Sequence, residues 1–282
     1  MLEDKILNVF KGNNGLFKDR NVFDMYYVPK QFLFRDSQMK ALANNIKPAF
    51  HGGGPIHTVI LGDHATGKTT AIKKIFQIAQ QYKNNVIPVY INCKIHNTKF
   101  KVYSAIFKKV FNIEPLKRGT SATLLFDKIM KQLKKQNQIL IIALDDINYL
   151  LNNKKGQELF HELIRAYEIF NVKIGIYPLL TSLEFRYNFD KNINSLFIPQ
   201  EILFPHYTED EIYTILKKRA DLGFQKRVIN HEILLKVSKF TKKHNNLRLG
   251  LHLLQNLCMI AANEGNTCIT NQHFNQLIKT KK

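Results

Sequence analysis

Gly62-Asp63-His64-Ala65-Thr66-Gly67-Lys68-Thr69 is the stretch on which the reading of this chain turns. It fits the pattern G-x-x-x-x-G-K-[ST] at every fixed position. Immediately before it, Thr58 to Leu61 is a β-branched and apolar run that predicts a strand. Immediately after it, Lys68 to Tyr82 places Ile72, Ile75, Phe76 and Ala79 on one helical face. Strand, loop and helix in that order are the context in which such a loop wraps a phosphate chain. Glycines let the backbone close around an anion, and successive N–H groups and the helix N-terminus point at it. Lys68 is expected to reach the β- and γ-phosphates and Thr69 to hold Mg²⁺. ATP or ADP with Mg²⁺ is therefore the expected ligand, cradled by residues 62–69 together with Thr70.

Outward from this loop the chain alternates. Strands are expected at Val86 to Cys93, Ile139 to Leu144, Val172 to Tyr177 and Glu201 to Phe204. Helices are expected between them at Lys99 to Phe111, Ser121 to Lys135 and Gly156 to Phe170. Strands separated by helices imply a mostly parallel sheet with right-handed crossovers. The continuous apolar run Ile139 to Leu144 reads as a strand buried on both faces, and it ends in Asp145-Asp146. Carboxylates at the end of such a strand hold Mg²⁺ in phosphate-loop ATPases. Asp145 is the candidate for the metal, through water, and Asp146 for polarising the attacking water.

Beyond Pro205 only helices are expected. Thr208-x-x-Glu211 is a capping box, Asn230 and Thr270 are candidate caps, and Leu247, Leu251, Leu254, Leu257 and Ala261 form one stripe. The expected division is an N-terminal segment (1–25), an α/β domain (26–204) and a small helical domain (205–282).

Composition narrows the class. Of the 282 residues, 45% are apolar, which excludes general disorder. The longest apolar run is too short to span a bilayer. The beginning, Met1-Leu2-Glu3-Asp4-Lys5, lacks the order of a secretory signal, so a soluble cytoplasmic protein is expected. Three cysteines, Cys93, Cys258 and Cys268, form no CxxC pair, which argues against a disulfide framework or zinc site. A net charge of +20 favours a polyanionic partner, most often nucleic acid. The excess is carried by 34 Lys and only 8 Arg, a composition that coding bias also produces.

Several further segments resemble one family. Tyr27-Val28-Pro29 and Arg35-Asp36-Ser37-Gln38 come first, followed by the phosphate loop, Tyr90-Ile91-Asn92-Cys93 and Leu144-Asp145-Asp146-Ile147-Asn148-Tyr149-Leu150. Then come Glu201-Ile202-Leu203-Phe204-Pro205-His206-Tyr207, Ile215-Leu216-Lys217-Lys218-Arg219-Ala220, and Asn245-Asn246-Leu247-Arg248. In order and spacing over residues 17–282 the chain resembles the archaeal initiator ATPases related to origin recognition complex subunit one and cell division control protein six. The resemblance implies an AAA+ three-layer αβα sandwich around a parallel sheet, followed by an all-helical lid. It implies that Val28 and Pro29 border the adenine, that Tyr207 sits at the junction into the lid, and that Arg248 is the lid arginine at the nucleotide. It also implies a helical insertion that touches DNA, here residues 98–121, with Lys108, Lys109, Lys117 and Arg118 as the contacts. Implied partners are origin DNA at the nucleoid and a full-length initiator relative or the replicative helicase, with the oligomeric state left open.

The departures bear on rate. The family usually has Asp-Glu where Asp145-Asp146 stands here, and the shorter side chain displaces its carboxylate by about an ångström, a misplacement that can cost ~10²-fold. The asparagine expected at the tip of the Val172 strand is absent; Pro178 stands near its place, and Thr181 and Asn188 are only candidates to substitute for it. The arginine finger falls within Asp190-Lys191-Asn192-Ile193, where Asn192 occupies its place. The family's winged-helix domain is expected to be missing. The reading is an initiator-type ATPase that binds DNA and hydrolyses ATP slowly. The alternatives are a nucleotide-dependent switch subunit and, less favoured, an ATPase of a transposing element.

Overall fold

A computed structural model describes residues 15–115, 119–152, 154–181 and 195–279. Five strands build one sheet: β1 (Thr58–Leu61), β2 (Val86–Asn92), β3 (Ile139–Asp145), β4 (Ile174–Leu180) and β5 (Gln200–Leu203). Their order is β2-β3-β4-β1-β5, and all four pairings are parallel. Alternate residues serve opposite faces, as the strand period of two demands. Leu140, Ile142 and Leu144 of β3 join Val59, Leu61, Val89 and Ile91 in one core. That core is completed by α3 (Lys99–Phe111), α4 (Ala122–Lys135) and α6 (Lys154–Ile164). The residues between, Ile139, Ile141 and Ala143, are also buried and face the other side. The unit also contains α1 (Asp36–Phe50), α2 (Lys68–Tyr82), the single turn α5 (Asn148–Leu151) and α7 (Ala166–Phe170).

Three elements differ from the sequence expectation. Helix α1 has no strong start or stop signal; its apolar stripe is short, Leu42, Ile46 and Ala49, and Pro48 lies inside it. The helix expected over 156–170 divides into α6 and α7 at Arg165. Strand β4 starts at Ile174 and continues through Pro178 to Leu180. Proline removes a ladder donor and is rare in central strands. Here it stands where β4 changes partner: Leu144↔Pro178 is the last pair with β3, and Leu179 pairs with Ile60 of β1.

Contacts divide the chain into two units. Arg35–Pro205 forms the α/β unit, and the described residues up to Phe34 group with His206 onward. The boundary expected at residue 26 thus lies at Arg35. The reason is aromatic packing within the helical unit, which holds α8 (Glu209–Gly223), α9 (His231–Lys243), α10 (Leu247–Asn263) and α11 (Asn271–Lys279). Phe23 stacks on Phe224 at 4.7 Å. Gly223 permits this approach, since a Cβ there would lie 2.3 Å from the Phe23 ring. Arg219 donates to the Val22 carbonyl at 2.8 Å and covers the Tyr27 ring at 4.4 Å.

The Thr208–Glu211 capping box forms in both directions, and Asn230 caps α9. Thr270 does not cap with its hydroxyl, which has no hydrogen-bond partner. Its backbone N–H instead donates to the buried ring of His273 at 3.0 Å. Among the described residues no helix is long and apolar enough to cross a membrane.

Candidate nucleotide site

Leu61 ends β1 and Lys68 opens α2, so six residues must turn the chain between strand and helix. Three of them take positive φ: Gly62 at 148°, Ala65 at 60° and Gly67 at 99°. Gly62 also lies against Phe204, the residue after β5, where a Cβ would stand 2.4 Å from the Phe204 carbonyl oxygen. The approach is fixed by the Phe204 N–H, which donates to the Leu61 carbonyl at 2.7 Å. Lys68 is 8% exposed, and its ammonium reaches back to donate to the Gly62 and Asp63 carbonyls at 2.6 and 2.8 Å. The Thr66 hydroxyl donates to the Asp63 carbonyl at 2.8 Å, and the His64 N–H to the Asp63 side chain at 2.7 Å. Thr70 follows on the first turn of α2 and is half-buried.

The register of β2 and β3 brings the second group to this loop. Asn92 pairs with Asp145 and Tyr90 with Ala143, so Tyr90 and Asp145 share one face of the sheet. Asp145 is 7% exposed. Its Oδ2 accepts from the Thr69 hydroxyl at 2.6 Å and from the Tyr90 hydroxyl at 2.7 Å. Its Oδ1 accepts from the Asp146 N–H at 3.1 Å. Three donors therefore fix this carboxylate. Burial, reinforced by the Asp145 charge beside it, drives the Tyr90 phenol far above its usual titration range, so it remains a donor. The same causes raise the neighbouring Cys93 thiol and keep it neutral and unreactive. Lys73, one turn beyond Thr69, lies over the Tyr90 ring at 4.7 Å. Asp146 turns away from the strand with φ of 54°, a left-handed conformation that aspartate tolerates better than most residues.

These residues fit a phosphate chain with a hard cation. The cradle has no room for a side chain at Gly62, and Thr69 beside Asp145 offers oxygen donors of the kind Mg²⁺ takes. No cluster of three or more His, Cys, Asp or Glu suited to a metal exists among the described residues. A cation at Thr69 and Asp145 would complete its shell with water and phosphate oxygens.

The structure thus brings Gly62–Thr70 together with Asp145, and Asp146 is tied to Asp145 through its backbone N–H. Val28 and Pro29, half-buried, Tyr207, buried with its carbonyl accepting from Lys242 at 3.1 Å, and Arg248, exposed at the start of α10, all belong to the helical unit. Lys108 and Lys109 lie on the last turn of α3, where Lys108 pairs with Glu114 and Lys109 donates to Gln80. Thr181 is exposed just after β4. Lys117, Arg118, Asn188 and the 190–193 segment lie outside the described residues. Sequence reasoning assigned no role to Tyr90. The signal that finds it is register, two residues before the strand end opposite Asp145.

Comparison with known proteins gives the same architecture. Residues 53–180 match the AAA domain, and residues 213–277 match the Cdc6 AAA+ ATPase-type lid domain. ORC1-type DNA replication protein 2 of Methanothermobacter thermautotrophicus is 39% identical over 98% of this chain and 73% of its own length. The chain belongs to the ORC1-type DNA replication proteins. A second ORC1-type relative, from Methanosarcina mazei, is 38% identical over 90% of this chain and 68% of its own. Among solved structures, the Aeropyrum pernix ORC1 protein in complex with DNA has a TM-score of 0.83 at 24% identity, covering 94% of this chain and 69% of that one. The Aeropyrum pernix ORC2 protein, solved as ADPNP–ADP complexes, has a TM-score of 0.82 at 23% identity, covering 95% and 73%. At those identities the two structures establish the fold, an αβα sandwich with a helical lid unit.

Proposed function

We propose that this ORC1-type protein is an ATP-dependent replication initiator that binds ATP or ADP with Mg²⁺ at Gly62–Thr70, binds DNA, and hydrolyses ATP slowly. The observation that carries the nucleotide reading is the 2.6 Å hydrogen bond from Thr69 to Asp145, which joins the end of the phosphate loop to the end of β3. In this reading the Lys68 ammonium exchanges its loop carbonyls for β- and γ-phosphate oxygens. Thr69 and Asp145 would hold the cation, Thr69 directly and Asp145 through water. Mg²⁺, when bound, neutralises charge on the phosphates. Arg248 and Tyr207, with Val28 and Pro29, are assigned to the nucleotide on the strength of the family resemblance. Changing Lys68 to Ala is expected to abolish ATP binding, measured by equilibrium titration; unchanged affinity refutes the phosphate site.

Slow hydrolysis follows from Asp146. Its carboxylate is one methylene short of the usual glutamate, so water is held less well for attack. DNA binding is supported by the net charge of +20 and by the relative solved with DNA. Lys108, Lys109, Lys117 and Arg118 are the proposed contacts. Such a grip is electrostatic, and the logarithm of affinity should fall with the logarithm of salt by about 0.9 per phosphate neutralised. Labelled duplex titrated at low and physiological salt tests this, and no binding at low salt removes the DNA assignment. The partners, origin DNA with a full-length relative or the replicative helicase, and a cytoplasmic site of action at the nucleoid belong to the same proposal.

The same short Asp146 also supports a second reading, a nucleotide switch with little turnover. Single-turnover decay of bound ATP separates the two: loss within minutes favours the ATPase, and retention for many hours favours the switch.

A further inference from the structure

Arg35 is 2% exposed. Burying a guanidinium is costly unless its donors are met. Its Nε donates to the Thr66 carbonyl at 3.1 Å and one terminal nitrogen donates to the Pro205 carbonyl at 2.6 Å. Its carbon lies 5.9 Å from the Phe204 ring centroid. These partners have a common theme. Thr66 is the central turn of the phosphate loop, and Phe204–Pro205 is the segment on which Gly62 rests. Arg35 is the first residue of the α/β unit and Pro205 its last. One side chain therefore ties the two ends of that unit to each other and to the loop.

The consequence for the loop comes from peptide geometry. In a planar trans peptide the carbonyl and the following N–H point in opposite directions. No peptide in the described chain is cis. A Thr66 carbonyl held by Arg35 therefore turns the Gly67 N–H away from Arg35, at the residue that caps the N-terminus of α2. Gly67 at φ of 99° is the position where the plane could otherwise rotate most easily.

We propose that Arg35 is a positioning residue for the phosphate loop, aiming the Gly67 N–H at the nucleotide phosphates by holding the Thr66 carbonyl while anchored on Pro205. The inference rests on the nucleotide reading above. Arg35 touches no phosphate itself; it acts on the donors that do. Its effect must therefore scale with the phosphates of the ligand, which a general loss of folding would not do.

The test compares wild type, R35Q, R35K and K68A for equilibrium binding of ATP, ADP and adenosine, with melting temperature as a control. R35Q should lose roughly ten- to hundredfold in affinity for both ATP and ADP, the range of a lost charge-assisted hydrogen bond. Adenosine should stay within about twofold of wild type, because it presents no phosphate to the loop. R35K, charged but without the planar fork, should recover only part of the loss. Unchanged ATP affinity in R35Q, or equal factors for ATP and adenosine, overturns the proposal. Should R35Q fail to fold, R35K decides alone: wild-type ATP affinity overturns the proposal, and a loss confined to ATP and ADP supports it. Wild-type protein that binds no ATP overturns the nucleotide reading and this proposal with it. ATP binding that is lost in K68A but intact in R35Q overturns this proposal alone.

Discussion

Removing the Tyr90 hydroxyl probes the contact that holds Asp145 at the centre of the site. Tyr90→Phe keeps the ring, and with it the packing and the Lys73 ammonium 4.7 Å above it. It deletes the donor at 2.7 Å from Asp145 Oδ2 and, with the same hydroxyl, a hydrogen-bond partner of the Asn92 side chain. A hydrogen bond to a charged group contributes about 1.5–3 kcal/mol. The Asp145 carboxylate retains Thr69 and the Asp146 N–H, so the lower end applies, and the carboxylate gains freedom to rotate. Partners that orient metal-site carboxylates cost roughly 10–100-fold in metal affinity when lost. The expectation is about a tenfold rise in the Mg²⁺ concentration that half-saturates Mg-dependent ATP binding. ATP binding in excess EDTA should be unchanged, since the partners of the Tyr90 hydroxyl are Asp145 and the Asn92 side chain rather than the phosphate loop. The assay is a fluorescent-nucleotide titration at a series of Mg²⁺ concentrations, with and without chelator. If the Mg²⁺ midpoint does not move while the melting temperature falls, Tyr90 merely packs β2 and the argument is refuted. Because the phenol titrates far above its usual range, the wild-type Mg²⁺ midpoint should also be flat from pH 7 to 9 as far as this group is concerned.

Gly223→Ala should destabilise the helical unit by about 1–3 kcal/mol, the range for overpacking a tight contact, because the new Cβ would stand 2.3 Å from the Phe23 ring; urea unfolding measures it. His57 accepts the Ile176 N–H at 3.1 Å through Nδ1, and burial holds its pKa below the ordinary value. The unfolded chain therefore binds this proton more readily, so stability is complete above about pH 6.5 and falls as pH drops toward the lowered folded value, by at most about 1.4 kcal/mol per pH unit. His57→Gln, which still offers an acceptor, should flatten that part of the profile in urea unfolding at pH 7.5 and 5.5. Asp146→Glu should speed single-turnover hydrolysis by about tenfold or more at a cost below about 2 kcal/mol for a longer side chain at positive φ; an unchanged rate removes the account of slow turnover.

The phosphate loop and its flanks are legible because the chemistry restricts each residue: Gly62 and Gly67 adopt conformations few others reach, and the strand and helix beside them carry strong periodicity. β3 is legible because a strand buried on both faces has to be apolar throughout. What escapes the sequence is decided by distant partners. Pro178 argues against a strand centre, yet β4 passes through it because the switch from β3 to β1 falls there. His57 fills part of that gap with a side-chain acceptor that no local pattern announces. Residues 26–34 look like the start of the α/β domain until Tyr27 is seen under Arg219, nearly two hundred positions away. Tyr90 and Arg35 are readable as letters in a resemblance, but their roles depend on strand register and on a carbonyl at the far end of the unit.

The helical unit is assembled from both ends of a long detour through the sheet. During synthesis the apolar anchors Phe17, Val22 and Phe23 leave the ribosome well before Gly223 and Phe224, their seat on α8. The α/β unit has its five described strands once Leu203 has emerged, whereas the segment before Arg35 waits for its partners. Loop closure over that separation is slow relative to local contacts, and exposed aromatic side chains in the interval invite capture by other chains. Translation stalled between Pro205 and Gly223 should therefore yield a nascent chain with its described strands made and sticky side chains before Arg35, a state in which a chaperone would be needed there rather than at the growing end.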